Sequence, residues 1–143
     1  MAKIFLSYSR ADTERSRQLI DELTNALRSE KGVEVWDDRK IEAGEKWDEV
    51  IEKELEQATT FVLVLSPAYL HSNYTAFEMG VAMSRRSQGE AQVIPVLVRD
   101  INTEDLPPQL RGRTIIDVRG KNAKEAARLV ADQVQRSESE GGT

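Results

Sequence analysis

Hydrophobic and polar positions alternate along the chain in two rhythms. Short apolar runs that suit strands are separated by longer stretches with the spacing of amphipathic helices. KIFLSY (3–8) reads as a first strand, and Leu19, Ile20, Leu23 and Leu27 mark one face of a helix over 13–30, with Gly32 placed as its C-cap. VEVW (33–36) is a second strand, followed by the polar loop 37–46 and a helix carrying Trp47, Val50, Ile51 and Leu55. TFVLVLS (60–66) has no polar alternation, which predicts a central strand covered on both faces. Ser66 reads as a cap with Pro67 at the first position of the next segment, and a helix follows over 74–87. QVIPVLV (92–98) is a fourth strand whose Pro95 predicts a place near an edge or a bulge. TIIDV (114–118) is a short fifth strand, and Asn122 with Glu125 forms a capping box for a last helix reaching about residue 136.

Five strands alternating with helices predict an α/β fold: a flavodoxin-like, doubly wound, five-stranded parallel sheet. Residues 1–136 form one domain, and 137–143 (SESEGGT) read as a disordered tail. Ligands of such sheets bind beyond the carboxyl ends of the strands, at the point where strand order reverses. That directs attention to loops 8–12, 37–46, 66–74 and 99–112.

Composition narrows the classes. The 143 residues carry a net charge of −5, which gives no reason to expect nucleic acid or an anionic membrane as partner. Cysteine is absent, so disulfides, zinc–thiolate sites and a cysteine nucleophile are excluded. MAKIFLSYSR is too short in apolar residues for a signal peptide, and no window approaches the length of a membrane span, so a cytoplasmic location is expected. The first strand–helix turn, SYSRAD, has no glycine-rich phosphate loop. Ser66 stands where a phospho-acceptor receiver would need an aspartate. His71 is the single histidine, which argues against a Ser-His-Asp triad and rules out a metal site built on several histidines.

Two segments resemble a known family. IFLSYSRAD resembles the first signature of Toll/interleukin-1 receptor (TIR) domains. VWDDRKIEAGEKWDEVIEKELEQATTFVLVLSPAYLHSNYTAFEMGVA resembles their second strand, BB loop, central strand and the helix with the family's glutamate. The likeness runs from about residue 2 to 136, and KIEAGEKWDEVIEKELEQATTFVLVLSPAYL is especially similar to the NAD-cleaving TIR domains of bacterial defence systems and of axon-degeneration proteins. Two departures stand out. Tyr74 and Thr75 occupy places where members often have Trp-Cys, and IEAG replaces the Arg-Asp and Pro-Gly of receptor-adaptor loops.

The resemblance implies an NAD+ glycohydrolase (NAD+ nucleosidase), with ADP-ribosyl cyclase activity left open, that needs no cofactor because NAD+ is the substrate. Nicotinamide leaves NAD+ as a neutral molecule, so one carboxylate that stabilises the cation-like sugar can suffice where an O-glycosidase needs two. Glu78, in the first turns of its helix, takes that catalytic role by resemblance; on periodicity alone the favoured reading is an ordinary solvated glutamate.

Substrate contacts implied in the same way are Ser9, Arg10, Glu42, Trp36, Trp47 and Tyr74. Tyr74 would close the pocket wall, and each of the other five has a plainer reading. Ser9 would cap the first helix with Asp12 at N3, Arg10 and Glu42 would face solvent, and Trp36 and Trp47 would anchor the core. The alternative function is a non-catalytic TIR interaction module. Self-association through the 37–46 loop, or pairing with other TIR domains, suits either reading. A nucleoside deoxyribosyltransferase-like enzyme shares the architecture and a glutamate.

Overall fold

The computed structural model describes residues 2–11, 13–28, 33–37, 43–108, 110–111 and 115–141; for Trp47 and Tyr74 only the backbone is described. The elements in chain order are β1 (Ala2–Ser7), α1 (Glu14–Arg28), β2 (Val33–Trp36), α2 (Trp47–Gln57), β3 (Thr60–Leu65), α3 (Pro67–Leu70), α4 (Asn73–Ser87), β4 (Gln92–Leu97), a 3-10 turn (Thr103–Asp105), β5 (Ile116–Asp117) and α5 (Ala123–Gly141). Among the described residues the sheet is parallel and five-stranded, in the order β2-β1-β3-β4-β5. The chain therefore winds outward from β1 to β2, returns, and winds the other way from β3 to β5. The reversal lies between β1 and β3, which pair from Ile4↔Thr60 to Ser7↔Leu63.

The apolar run predicted as a central strand is β3, and all six of its residues are buried. Its alternate side chains feed two cores. Val62 joins Ile4, Leu6, Leu23, Leu27 and Val130 beneath α1 and α5. Phe61, Leu63 and Leu65 join Phe5, Ile51, Leu55 and Tyr69 beneath α2, α3 and α4. Burying each such side chain contributes roughly 1.5–3 kcal/mol, so β3 is the strand on which both layers depend.

Pro95 sits in the penultimate strand, opposite Leu63. The amides of Gln92 and Val98 donate to Thr59 and Leu65, on the β3 side. Alternation turns position 95 toward the β5 side, and among the described residues β5 pairs with Val96 and Leu97. The proline thus lies one strand in from the edge, on the side away from β3, which agrees with its expected place near an edge. Gly44, in the described end of the 37–46 loop, adopts φ +91°, a conformation that a side chain bearing Cβ resists.

Three boundaries differ from expectation. A separate turn, α3, precedes α4, because Ser66 and Pro67 start a helix that the chain leaves at His71. Of the strand expected over 114–118, the described residues form Ile116–Asp117, and Thr114 lies outside them. The last helix, expected to stop near 136, runs through Gly141, since no proline or glycine interrupts the chain before that point. Its capping box is present: Asn122 Oδ1 accepts from the Glu125 amide at 2.9 Å, and the two side chains bond at 3.1 Å. Gly32, expected as a C-cap, lies outside the described residues. Among those residues no helix is long and apolar enough to cross a membrane.

Candidate active site

The carboxyl edge of the sheet gathers buried polar groups. Ser7 ends β1, Asp37 follows β2 and Ser66 follows β3; all three are buried, as are Ser9 and Glu78. A polar group out of water must be hydrogen-bonded or it costs free energy, so such a cluster has a structural purpose, a chemical one, or both.

Local chemistry at the end of β3 sets the site. Ser66 is extended (φ −151°, ψ 167°) and its Oγ accepts from the Tyr69 amide at 3.1 Å, with Pro67 at the first helical position. This cap forces one helical turn and brings Tyr69 back beneath the sheet, where it is 1% exposed. Ser72 O then accepts from Ala76 N at 3.0 Å as α4 begins.

Glu78 lies in the second turn of α4 and is only 2% exposed. It is therefore no solvated surface glutamate; Phe77, 56% exposed, is the side chain that faces outward there. The helix dipole weakens beyond the first turn, so the dipole favours the charged form less than a first-turn position would. A direct donor is present instead: Ser7 Oγ donates to Glu78 Oε1 at 2.7 Å. Tyr69 Oη lies 2.8 Å from the same Ser7 oxygen. A serine hydroxyl has one proton; with that proton on the carboxylate, Tyr69 is the donor to Ser7. Burial pushes the Tyr69 phenol far above its ordinary pKa, and the Glu78 charge adds to the effect. The phenol therefore keeps its proton for this bond.

The other sequence-predicted residues are distributed as follows. Ser9 is 4% exposed, and its Oγ accepts from Ala11 N at 3.2 Å. It does not cap α1, which begins at Glu14 after Thr13 accepts from Arg17 N. Arg10 and Ala11 form a turn and helix geometry starts only at Glu14, so Ser9 lies too early to cap it; Asp12 lies outside the described residues. Arg10 is exposed and lines a surface concavity of about 460 Å³ with Tyr8, Glu14, Arg17, Ile20 and Asp21. That concavity borders α1, whereas Glu78 is carried by α4. The Arg10 carbonyl accepts from Arg17 Nη2 at 2.9 Å.

Trp36 is buried, with its ring centroid 5.0 Å from that of Phe5, which places it in the core beneath α2. Trp47 opens α2 and Tyr74 is the second residue of α4, but their side chains are not described. Glu42 and residues 38–41 of the loop lie outside the described residues. His71 is exposed, as expected, 3.6 Å from Asp105.

Ser7, Tyr69 and Asp37 were not anticipated. A serine at the end of an apolar strand, and one of two adjacent aspartates after β2, were the available signals for Ser7 and Asp37; Tyr69 carried none. The arrangement can hold one buried carboxylate in a fixed place at the reversal of strand order, where this class of sheet binds ligands.

Comparison with known proteins identifies the architecture. A family model for the TIR domain matches residues 4–130. The chain belongs to the TIR domain family. This TIR domain is 31% identical over 116 residues to the Stimulator of interferon genes protein of Magallana gigas, covering 80% of the chain and 27% of that protein. It is 26% identical over 93 residues to the 2' cyclic ADP-D-ribose synthase BtTIR of Bacteroides thetaiotaomicron, covering 64% and 31%. The TIR domain of the Toll-related receptor TRR-2 from Hydra magnipapillata superposes with a TM-score of 0.66 at 20% identity, covering 94% and 95% of the two chains, which is a likeness of fold. The chain spans about a third of the length of the curated relatives it matches.

Proposed function

We propose that this TIR domain is an NAD+ glycohydrolase that breaks the bond between nicotinamide and ribose, with Glu78 as the catalytic carboxylate. The observation that carries the reading is the burial of Glu78 at the reversal of strand order, in hydrogen-bonding contact with the end of β1. Its likeness to a cyclic ADP-ribose synthase supports the substrate class.

In the proposed reaction the C1′–N bond of NAD+ breaks and its electron pair leaves with the nicotinamide nitrogen, which loses its positive charge. The sugar carbon takes on that charge as the base departs. A fixed negative group in a site of low dielectric stabilises this developing cation more than it stabilises the ground state. Water then bonds to C1′ and releases a proton, giving nicotinamide, ADP-ribose and H+. If an atom of the adenosine part reaches C1′ before water, the product is a cyclic ADP-ribose isomer; the relative's printed activity makes this route a direct target of product analysis. Self-association through the 37–46 loop is proposed to raise activity, so specific activity increases with protein concentration.

The test incubates concentrated protein with NAD+ and follows nicotinamide and the ADP-ribose products by chromatography, beside Glu78→Gln and Glu78→Ala. Loss of a preorganised electrostatic group costs on the order of 10²–10³-fold in rate. Equal release from all three proteins removes the catalytic reading and leaves the interaction module.

A further inference from the structure

Glu78 is held through a chain of two hydrogen bonds that ends on a residue far from any surface. Tyr69 Oη bonds Ser7 Oγ at 2.8 Å, and Ser7 Oγ bonds Glu78 Oε1 at 2.7 Å. Both supporting side chains are 1% exposed. In this chain Ser7 bonds the carboxylate and Tyr69 bonds Ser7, so the influence on the reaction assigned to them here runs through Glu78. Resting on the NAD+-cleaving reading, we propose that Ser7 and Tyr69 are positioning residues: together they fix the Glu78 carboxylate in one orientation toward the sugar.

Three observations support this. The first is rigidity. A glutamate has three rotatable side-chain bonds and is a poor fixed charge unless something locks it. Ser7 stands on β1 in register with Leu63 of β3, and Tyr69 stands on a turn capped by Ser66, so both supports belong to well-packed elements. The second is electrostatics. An ionised carboxylate taken out of water is expensive, and a short charge-assisted bond offsets part of that cost. The third is cooperativity. A phenol donating to Ser7 polarises the serine hydroxyl and strengthens its bond to the carboxylate, and that phenol stays protonated because it is buried.

Removing a donor to the charged form raises the pH at which that form is reached. Ser7→Ala should therefore lower kcat about 10-fold, leave KM within about 2-fold, and move the acid limb of the kcat–pH profile up by about one pH unit. Tyr69→Phe keeps the ring in its core position. It should move the limb in the same direction by about half as much, since it weakens the Ser7 bond without deleting it. Ser7→Thr retains the hydroxyl, suits a strand, and should restore most of the rate.

A wild-type pH profile in correctly folded Ser7→Ala overturns the proposal. So does a gain in activity, which would make the contact a restraint on Glu78. A second readout is independent of turnover: the carboxylate titration of carbon-13-labelled glutamate by NMR, with Glu78→Gln assigning the signal. The Glu78 midpoint should rise in Ser7→Ala; an unchanged midpoint defeats the relay. If the wild type and Glu78→Gln release nicotinamide equally while the midpoint still moves, the relay stands and the enzymatic reading falls.

Discussion

Arg85 reaches from α4 to the Leu55 carbonyl of α2, where Nη1 donates at 2.7 Å. The same nitrogen bonds the Ala58 carbonyl, and the guanidinium carbon lies 5.8 Å from the centre of the Phe61 ring. The last turn of α2 has no basic residue of its own, so Arg85 supplies the positive charge that the negative end of that helix favours. It also joins the helix that follows the 37–46 loop to the helix that carries Glu78.

Replacing Arg85 should therefore cost stability through two stranded carbonyls and lost packing. Arg85→Met is expected to lose about 1–3 kcal/mol in urea unfolding. Arg85→Lys should recover only part of the loss, because an ammonium lacks the planar fork that meets two acceptors at once.

Ser66 decides where Tyr69 sits. Ser66→Ala removes an N-cap and should lower stability by about 1 kcal/mol, measured by thermal or urea unfolding. Because the turn it caps carries the phenol that bonds Ser7, nicotinamide release should fall as well. Ser66→Asp keeps a capping oxygen, but it places a charge in a fully buried position and should be worse than alanine.

Alkaline titration should separate Tyr69 from an ordinary tyrosine. Its pKa in the folded protein lies well above the ordinary 10.0, so folding favours the neutral phenol. That contribution to stability is fully present below about pH 10 and is lost progressively at higher pH. Phenolate absorbance of the native protein should therefore lack the Tyr69 step, which should appear together with unfolding. In Tyr69→Phe the alkaline loss of stability should be smaller.

Acid titration should find a smaller effect at the end of β5. Arg119 bonds Asp117 at 2.9 and 2.7 Å and Asp100 at 2.6 Å, and the bonds from Arg119 hold the Asp117 carboxyl at about 2, below the usual 3.8. A depressed carboxylate contributes stability above pH 3.8 and loses it as the pH falls toward about 2. Asp117→Asn should remove that component of the acid dependence. The pair is exposed, so added salt should mask much of the difference in urea midpoint between the two proteins.

The fold was legible because its determinants are local. The unalternated run from Thr60 to Leu65 foretold the central strand, Ser66-Pro67 foretold a cap, and Asn122 with Glu125 foretold the start of α5. In the candidate site, resemblance singled out Glu78, which the structure buries. Its supports were hidden because they are separated in sequence: Ser7 and Tyr69 are 62 positions apart, and Ser7 and Glu78 are 71 apart. No periodicity relates such residues; only the pairing of β1 with β3 does. Arg85 was invisible for a different reason, since its acceptors are backbone carbonyls that every residue possesses. Ser9 was misplaced as a helix cap because a serine before Asp-Thr-Glu looks like one, although the helix starts five residues later.

Pro95 has a consequence for how copies of this chain can meet. Among the described residues, the margin of β4 ahead of Ile116–Asp117 carries Pro95, which lacks the amide that a further strand would need there. That side of the sheet is thereby a poor template for accretion of further strands, the route by which open parallel sheets become fibrous aggregates. A protein whose proposed activity rises with crowding of its copies gains from such a block, because proximity then favours contacts between loops and helices over irreversible stacking of backbones.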